Sequence, residues 1–308
     1  RIKEAKSADE IIELLKESDK FENELQTMSV IAYVRNTLDT TDKFYEDEIE
    51  FLNNAMPELM PYSIALNDAV AKSPFRAELE EKIGKQFFTR IELEKKGFCE
   101  ANIPLMQREA ALTTEYQKIM ATCRIEFDGQ TLNLYGIQKY FEHEDRNTRR
   151  AAVKAYSDFY HSNEPRLEEI WAELIEIRNE MGRNLGFENY IPLGYINQGR
   201  SDYGMEEVAS FREQVRCELV PLCEKLYKAQ EKRLGIDRLM FWDESKVFAD
   251  GNAKPAGLDR IAGIRVAVRP GDLAASKLLD QMKRPLRDNP RIDLREKTDI
   301  PFSLSFSL

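Results

Sequence analysis

The stretch RLEEIWAELIEIRNEMGRNLG, residues 166–186, carries the clearest folding signal in the sequence. Its apolar residues recur every three or four positions, which is the spacing of one face of an α-helix. A glycine at its end can adopt the left-handed conformation that often terminates a helix. We therefore predict a helix that ends near Gly186 and buries one apolar face. That face consists of Leu167, Ile170, Trp171, Leu174, Ile177 and Met181.

Similar periodicity covers most of the chain and predicts an all-α fold, a multi-helix bundle with long kinked helices. We expect Pro57 to interrupt one helix and a loop to lie near His161 and Pro165, because proline lacks a backbone donor and clashes with the preceding turn. For the same reason, Pro221 should kink a long helix over residues 206–234.

One non-helical segment, RIEFDGQTLNL at residues 124–134, alternates apolar and polar residues around Asp128-Gly129. This pattern predicts a small β-hairpin. The hairpin lies near the boundary between an N-terminal helical region, residues 1–122, and the start of a second helical domain, residues 123–257. In the helix that precedes the hairpin, the side chains expected to point into the core are those of Leu105, Leu112, Tyr116 and Ile119.

Residues 258–308 differ in composition from the rest of the chain. They contain 7 Arg, 3 Lys, 6 Asp and 1 Glu, a net charge of +3, whereas residues 1–257 carry −13. Prolines punctuate this tail, and the final FSLSFSL, residues 302–308, alternates like a strand. We expect the tail not to fold with the preceding domain. Whether it is native sequence or a frameshift or junction product near Gly257 stays open.

Composition excludes several classes of partner and location. The net charge of −10 argues against a nucleic-acid surface and against anionic membranes. No apolar run approaches the roughly 20 residues that span a bilayer, and the first residues lack the apolar core of a secretory signal. We predict a cytoplasmic protein whose four cysteines are reduced packing residues. Because the chain begins with Arg1, we also expect a fragment or a processed product.

No self-sufficient active site is evident. The chain contains two histidines, His143 and His161. The segment HEDRN, residues 143–147, differs by one residue from the H-E-x-x-H zinc motif, but Asn147 replaces the second imidazole and its neutral amide binds zinc weakly. Asp145 or Asn147 is instead expected to cap the start of a helix. No G-x-S-x-G turn or glycine-rich phosphate loop occurs. We therefore expect no catalytic residue, no metal ligand and no cofactor in this chain.

One loop, GYINQGRSDYG at residues 194–204, combines glycines with aromatic, amide and guanidinium groups. Aromatic faces can hold a peptide backbone, and an arginine can pair with a carboxylate terminus. Tyr195, Arg200 and Tyr203 are therefore candidate peptide-binding residues. The alternative is an ordinary helix-to-helix connection in which Asp202 caps the following helix.

Several short motifs, taken in order, resemble the oligoendopeptidase F branch of the thimet-type zinc metallopeptidases. They occupy residues 145–156, 178–190, 199–203, 220–222 and 233–243. The resemblance covers about residues 1–257 and implies a nearly all-helical, two-lobed zinc peptidase with a deep channel that admits short peptides. It also implies zinc held by an H-E-x-x-H helix and a downstream Glu in the C-terminal half. None of those positions occurs in this chain.

We therefore interpret the chain as an incomplete oligoendopeptidase F-like metallopeptidase that is inactive by itself, joined near Gly257 to unrelated or out-of-frame sequence. The alternatives are a non-catalytic helical peptide- or protein-binding module and a split enzyme completed by another chain. Short peptides are the expected ligands. Helices over residues 166–185 and 206–234 are expected to expose apolar faces, which predicts self-association.

Overall fold

The computed structural model describes residues 1–249, 258–261 and 264–267, the last two ranges by their backbone alone. These residues form nine α-helices and two pairs of short antiparallel strands. The all-α class and the hairpin near residues 124–134 are confirmed. In chain order the elements are α1 (Ala8–Leu38), α2 (Lys43–Ala71), α3 (Arg76–Ile83), α4 (Lys85–Lys96), α5 (Ile103–Ala121), β1 (Ile125–Phe127), β2 (Gln130–Leu132), α6 (Arg146–Asn184), α7 (Tyr190–Asn197), α8 (Met205–Gln214), α9 (Val220–Leu234), β3 (Leu258–Ile261) and β4 (Ile264–Ala267).

The chain divides into two compact units, Arg1–Ala229 and Gln230–Leu308. The first contains α1 to α8 and most of α9. The domain boundaries that the sequence suggests, one after residue 122 and one after residue 257, stay a prediction.

The first core lies where the ends of four helices meet. Ile11 of α1, Val70 of α2, Leu79 of α3 and Phe88 of α4 are fully buried there. Gly84 alone separates α3 from α4, and its φ of 94° is readily adopted only by glycine. This break allows two short helices to contribute to one core.

The second core contains the apolar face of residues 166–186, which form the C-terminal half of α6. α6 ends at Asn184, and Gly186 has a φ of 83°, as the helix-stop prediction requires. Trp171 is 65% exposed, so its predicted inward position is wrong. The expectation that this helix exposes its main apolar face is also wrong, because α5 and α7 cover it. The buried set is Leu112, Ile170, Leu174, Ile177, Met181 and Leu193.

The predicted hairpin forms around the expected turn. Ile125 lies opposite Leu132, and the turn residues Asp128 and Gly129 have φ values of 50° and 68°. Positive φ at both turn positions is typical of the type I′ turn, whose twist matches that of the strands. The Tyr140 hydroxyl donates to Asp128 Oδ2 at 2.9 Å and so links the turn to a third core, which contains Cys123, Ile125, Ile137, Tyr140 and Ala152.

Two prolines that were expected to interrupt helices lie inside them. α2 continues through Pro57, and the 39-residue α6 continues through Pro165. A proline in a helix interior costs about 3 kcal/mol. Both helices pack along neighbouring helices, α2 on α1 and α5, and α6 on α5 and α7, and this tertiary packing outweighs the local cost. His161 therefore lies in α6 and not in a loop.

The irregularity predicted at Pro221 is a π-helical turn. α8 ends at Gln214, residues Val215–Leu219 are π-helical, and α9 begins at Val220. The Val220 N–H donates to the Val215 carbonyl, a hydrogen bond one residue wider than that of an α-helix. Such a turn changes the hydrogen-bond register just before Pro221, which has no N–H to donate.

Three arginine–carboxylate pairs join α5 to α6. Two of them are bidentate, a geometry that gives strong, oriented hydrogen bonds. A hydrogen bond from Arg166 lowers the pKa of Glu115. The pairs are Arg108 with Glu173 at 2.6 and 2.8 Å, Arg166 with Glu115 at 2.6 Å for both bonds, and Arg178 with Glu109 at 2.7 Å.

We expect Glu115→Gln to lower the melting temperature by about 1–3 °C at pH 7 and to have almost no effect near pH 3. The folded-state pKa of Glu115 is depressed, so the pair contributes stability above the unfolded pKa of about 4.3 and loses it as pH falls through the folded pKa. Thermal melts followed by circular dichroism, recorded at pH 7 and near pH 3 for both proteins, measure the effect. Glu176→Gln is the control, because Glu176 is exposed on α6; an equal loss in the control would contradict the prediction.

The unit Gln230–Leu308 is described by residues 230–249 and by the strands β3 and β4. The Gln230 side-chain amide donates to the carbonyls of Asp243, Glu244 and Lys246 at 3.2, 3.1 and 2.8 Å, which holds this loop against the end of α9. β3 and β4 pair antiparallel and were not predicted. The predicted strand-like ending at residues 302–308 lies outside the described residues.

None of the helices in the described part of the chain combines the length and the apolar character needed to span a bilayer.

Candidate functional site

The candidate peptide-binding residues lie at the end of α7 and in the loop after it. Asn189 begins α7, and its side chain accepts a hydrogen bond from the Ile191 N–H at 2.9 Å. Such a side-chain cap satisfies a backbone donor that has no partner within the helix. Leu193 of α7 is buried in the second core and so holds α7 against it. α7 thus carries Tyr195 in its last turn from a fixed position.

Two glycines allow α7 to approach its neighbours closely. A Cβ at Gly182 of α6 would lie 2.5 Å from the Asn189 carbonyl oxygen. A Cβ at Gly97, the residue after α4, would lie 2.7 Å from Ile196 Cγ2. Because interiors are close-packed, neither position accepts a larger residue without movement. The residue types at these two positions therefore help to set where Tyr195 lies.

The chain turns back after α7 at Gly199, whose φ is 65°. The Gly199 N–H donates to the Ile196 carbonyl at 2.8 Å, and the Arg200 N–H donates to the Tyr195 carbonyl at 3.1 Å. A left-handed glycine with these bonds is a common helix ending. The turn brings Arg200 back over the last turn of α7.

The structure brings the three predicted residues together. The guanidinium carbon of Arg200 lies 4.4 Å from the centre of the Tyr195 ring and 5.4 Å from that of Tyr203. Both distances fall within the range of a cation–π interaction, which contributes about 0.5–1 kcal/mol at an exposed site. Tyr195, Arg200 and Tyr203 therefore form one cluster, and their role in peptide binding stays a prediction.

The Arg200 guanidinium makes no ion pair with a carboxylate among the described residues. The neighbouring Asp202 instead accepts a hydrogen bond from the Ser201 hydroxyl at 3.2 Å. Contact through the ring faces leaves the in-plane N–H groups of a guanidinium available, and these can donate two parallel hydrogen bonds to a carboxylate. Tyr203 is exposed, so the cluster is open to a ligand from solvent.

The alternative role predicted for Asp202 is wrong, because Asp202 does not cap α8. The capping position is Gly204, whose N–H donates to Glu207 Oε2 at 2.8 Å. A glutamate in the third helical position can satisfy this donor and also interact favourably with the helix dipole. The same hydrogen bond lowers the pKa of Glu207.

The segment His143–Asn147 does not form a zinc helix. α6 begins at Arg146, and the Asp145 carboxylate accepts from the Thr148 N–H at 2.8 Å, which confirms the predicted cap. His143 precedes the helix, and its Nδ1 accepts from the Asp145 N–H at 3.1 Å. Among the described residues, no group of three His, Cys, Asp or Glu is arranged to bind a metal ion. The zinc that the family resemblance implies does not fit these side chains.

The four cysteines differ in their burial. All four are free thiols, but Cys217 and Cys223 are exposed, so the packing role predicted for them is wrong. Burial raises the pKa of Cys123, and a hydrogen bond to Glu213 raises the pKa of Cys217. A raised pKa reduces the fraction of reactive thiolate at neutral pH.

A groove of about 660 Å³ between α5 and α6 was missed by the sequence reasoning. Tyr116 and Trp171 line it and are exposed, although their helical spacing predicted buried positions. Spacing alone does not distinguish an aromatic residue in a core from one at the edge of a groove. The groove has the volume of a small-ligand pocket.

Two family models match the chain. Residues 1–98 match the peptidase M3 N-terminal domain, and residues 139–253 match peptidase family M3. Together they cover more than two thirds of the sequence. A comparison with curated protein sequences gave no match.

Three solved structures are similar to this chain. A protein described as an oligoendopeptidase F from Bacillus anthracis strain Ames is 34% identical, with a TM-score of 0.79 over 82% of this chain and 46% of that one. PZ peptidase A with an inhibitor is 37% identical, with a TM-score of 0.81 over 83% and 46%. Another structure described as oligoendopeptidase F is 35% identical, with a TM-score of 0.81 over 83% and 45%.

This chain therefore spans less than half the length of each structure that it matches. The matches agree with the order of the family models, with the N-terminal domain followed by the beginning of the peptidase domain. The chain belongs to peptidase family M3 and is oligoendopeptidase F-like.

Proposed function

We propose that this chain binds short peptides at the cluster of Tyr195, Arg200 and Tyr203, as part of an oligoendopeptidase F-like peptidase. The observation that supports this proposal is the position of the Arg200 guanidinium, which lies against two tyrosine rings without a carboxylate partner among the described residues. The C-terminal carboxylate of a peptide supplies that partner. The exposed Tyr203 ring offers a face for the adjoining part of the peptide.

The same proposal assigns no hydrolysis to the chain by itself. A family zinc ion, where it is bound, activates water and polarises the scissile carbonyl. Neither histidine of this chain belongs to an H-E-x-x-H segment, and His143 uses its Nδ1 to accept a backbone hydrogen bond. The residues of this chain bind and orient the peptide. We also propose the cytoplasm as the location, since the chain is acidic and its cysteines are free.

Arg200→Ala is expected to weaken the binding of a short peptide with a free C-terminus at least about tenfold, because hydrogen bonds to a charged group contribute about 1.5–3 kcal/mol. Isothermal titration calorimetry of the full chain measures the dissociation constant. Amidating the peptide C-terminus should weaken binding to the parent chain and have no further effect in Arg200→Ala, since both changes remove the same interaction. Tyr203→Ala should also weaken binding.

The matched control is Arg212→Ala, which removes an exposed arginine on α8 and should leave the affinity unchanged. Mass spectrometry of the titrated peptide, with zinc added, should show no cleavage; chelator-sensitive cleavage would contradict the assignment of binding alone. A loss of affinity in Trp171→Ala, with none in Arg200→Ala, would place the peptide in the groove between α5 and α6 and would show that the assignment to the loop is wrong.

A further inference from the structure

The groove between α5 and α6 combines a buried apolar base with aromatic rings along its sides. Ile170 and Leu174 belong to the second core and line the base of the groove. Tyr116 of α5 and Tyr160 and Trp171 of α6 also line it. Trp171 is exposed, and among the described residues its ring contacts no other ring and its indole N–H has no hydrogen-bond partner. This ring is therefore available to a ligand.

Two exposed carboxylates in the groove have no arginine or lysine partner among the described residues. A hydrogen bond of 3.2 Å joins Glu164 Oε2 to His161 Nδ1, and Glu168 makes no ion pair in the same part of the chain. The three glutamates that join α5 to α6 differ from them, because each accepts a hydrogen bond from an arginine. Glu164 and Glu168 are four residues apart, and like charges at this spacing in a helix repel each other. A positive charge between them would remove this repulsion.

The carboxylates and the aromatic rings lie on one side of a regular helix. α6 is α-helical throughout residues 146–184, so residues three or four positions apart are neighbours on its surface. Tyr160, Glu164, Glu168 and Trp171 follow one another at intervals of four, four and three residues. The two carboxylates therefore lie between two aromatic residues along the helix. Aromatic faces attract cations, and tryptophan does so most strongly.

Arg178, which lines the other end of the groove, is already paired. Its Nε donates to Glu109 Oε1 at 2.7 Å, and its guanidinium carbon lies 5.6 Å from the centre of the Tyr190 ring. The charge of Arg178 is therefore balanced within the fold. Among the described side chains that line the groove, the uncompensated charge is negative and comes from Glu164 and Glu168. This charge complements a cation.

An arginine side chain fits this combination better than a lysine side chain. A guanidinium is planar, so it stacks on an aromatic ring while its N–H groups donate in its own plane. These N–H groups form charge-assisted hydrogen bonds with carboxylates. The ammonium of lysine is a strongly hydrated point charge without a flat face. Aromatic rings beside carboxylates therefore favour a guanidinium.

The length of the groove favours a peptide over a small cation. Its lining extends along α6 from Tyr160 to Arg178, a distance of roughly 27 Å at about 1.5 Å per residue. An extended peptide covers about 3.3–3.6 Å per residue, so about eight residues span this distance. A small guanidinium compound would occupy only the part of the groove beside the two carboxylates.

We propose that this groove is a second peptide-binding site, which holds an arginine side chain of an extended peptide against Trp171 and beside Glu164 and Glu168. The site goes beyond the proposed function, because it recognises a basic side chain and not a terminal carboxylate. It shares no residue with the cluster at the end of α7. Each of the two sites can therefore fail without the other.

Isothermal titration calorimetry of the full chain with a peptide of about eight residues tests the proposal. The peptide carries one central arginine and is acetylated and amidated, so it offers no terminal carboxylate to Arg200. A second peptide has citrulline in place of the arginine, which keeps the shape of the side chain and removes its charge. The citrulline peptide is expected to bind at least about tenfold more weakly, because hydrogen bonds between charged groups are stronger than those of neutral donors.

Variants of the groove test which side chains hold the arginine. The double variant Glu164→Gln with Glu168→Gln should weaken binding of the arginine peptide about tenfold and leave the citrulline peptide unchanged, since both changes remove the same interaction. Trp171→Ala should also weaken the arginine peptide. All three side chains are exposed, so circular dichroism should show unchanged helix content. The control is Glu176→Gln with Glu180→Gln, which removes two exposed carboxylates at the same spacing from α6 outside the groove and should leave the affinity unchanged.

Four outcomes overturn the proposal. They are equal affinities for the arginine and citrulline peptides, an equal loss of affinity in the control variant, no binding of the arginine peptide at about 1 mM, and binding of ethylguanidine as tight as that of the peptide, which would make a small cation the ligand.

Arg200→Ala separates this site from the cluster at the end of α7. It should leave the affinity for the capped arginine peptide unchanged, and the double glutamine variant should leave the affinity for a peptide with a free C-terminus and no arginine unchanged. A loss of the capped arginine peptide in Arg200→Ala would place that peptide at the cluster and would show that the assignment to the groove is wrong.

Discussion

Phe88→Ala is expected to destabilise the unit Arg1–Ala229 by about 3–5 kcal/mol. Phe88 is fully buried where α1 to α4 meet, and the Arg76 guanidinium carbon lies 3.9 Å above its ring. Removing the ring loses apolar burial, leaves a cavity and removes the cation–π contact. Since domains are stable by only about 5–15 kcal/mol, the loss is a large fraction of the total.

Urea denaturation followed by circular dichroism measures this effect. The control is Phe21→Ala on α1, because Phe21 is 64% exposed and its removal should change the unfolding free energy by no more than about 0.5 kcal/mol. Native-state hydrogen exchange should show the largest loss of protection in α3 and α4, which lie on either side of Gly84. Similar losses of stability in both variants would contradict the placement of the first core.

Local rules predicted the parts of the fold whose geometry depends on neighbouring residues alone. The Asp128-Gly129 turn requires two positive φ values, and the structure shows them. The Asp145 carboxylate caps α6, and Gly186 lies just beyond its end. In each case the favourable interaction joins residues within a few positions of each other, so it can be read from a short window of sequence.

Tertiary packing decided the positions where sequence reasoning was wrong. Pro57 and Pro165 have the same local cost in any helix, but the long helices that contain them pack along other helices. Trp171 follows the same periodicity as its buried neighbours, and only the position of α5 shows that it borders a groove. A single sequence does not give these relations between distant elements.

In the candidate site, some features could be predicted from local sequence and others depend on the folded structure. The composition of residues 194–204 identified Tyr195, Arg200 and Tyr203, because aromatic rings and a guanidinium near glycines are typical of binding loops. Their mutual contacts depend on the turn at Gly199 and were not predictable from composition. The cap by Glu207 was also missed, although a glutamate three residues into a helix is a known capping signal.

Gly182→Ala is the second variant with a large expected effect, and it connects the fold to the candidate site. Alanine favours helices over glycine by about 1 kcal/mol, so propensity alone predicts stabilisation. At Gly182, however, the new Cβ would lie 2.5 Å and 2.8 Å from the carbonyl oxygen and carbon of Asn189. Both atoms belong to the backbone, so no side-chain rotation relieves the clash. We therefore expect a net destabilisation of about 2–3 kcal/mol, measured by urea denaturation.

The same substitution is expected to weaken peptide binding, because Asn189 begins α7 and α7 carries Tyr195. Gly97→Ala is the matched comparison. Its Cβ would meet the Ile196 Cγ2 methyl at 2.7 Å, and a side-chain methyl can move aside at lower cost than backbone. Gly97→Ala should therefore reduce stability and peptide affinity less than Gly182→Ala. The reverse order would mean that α7 is positioned mainly by α4, whereas a loss of stability without loss of affinity would show that Tyr195 and Arg200 bind peptide independently of where α7 begins.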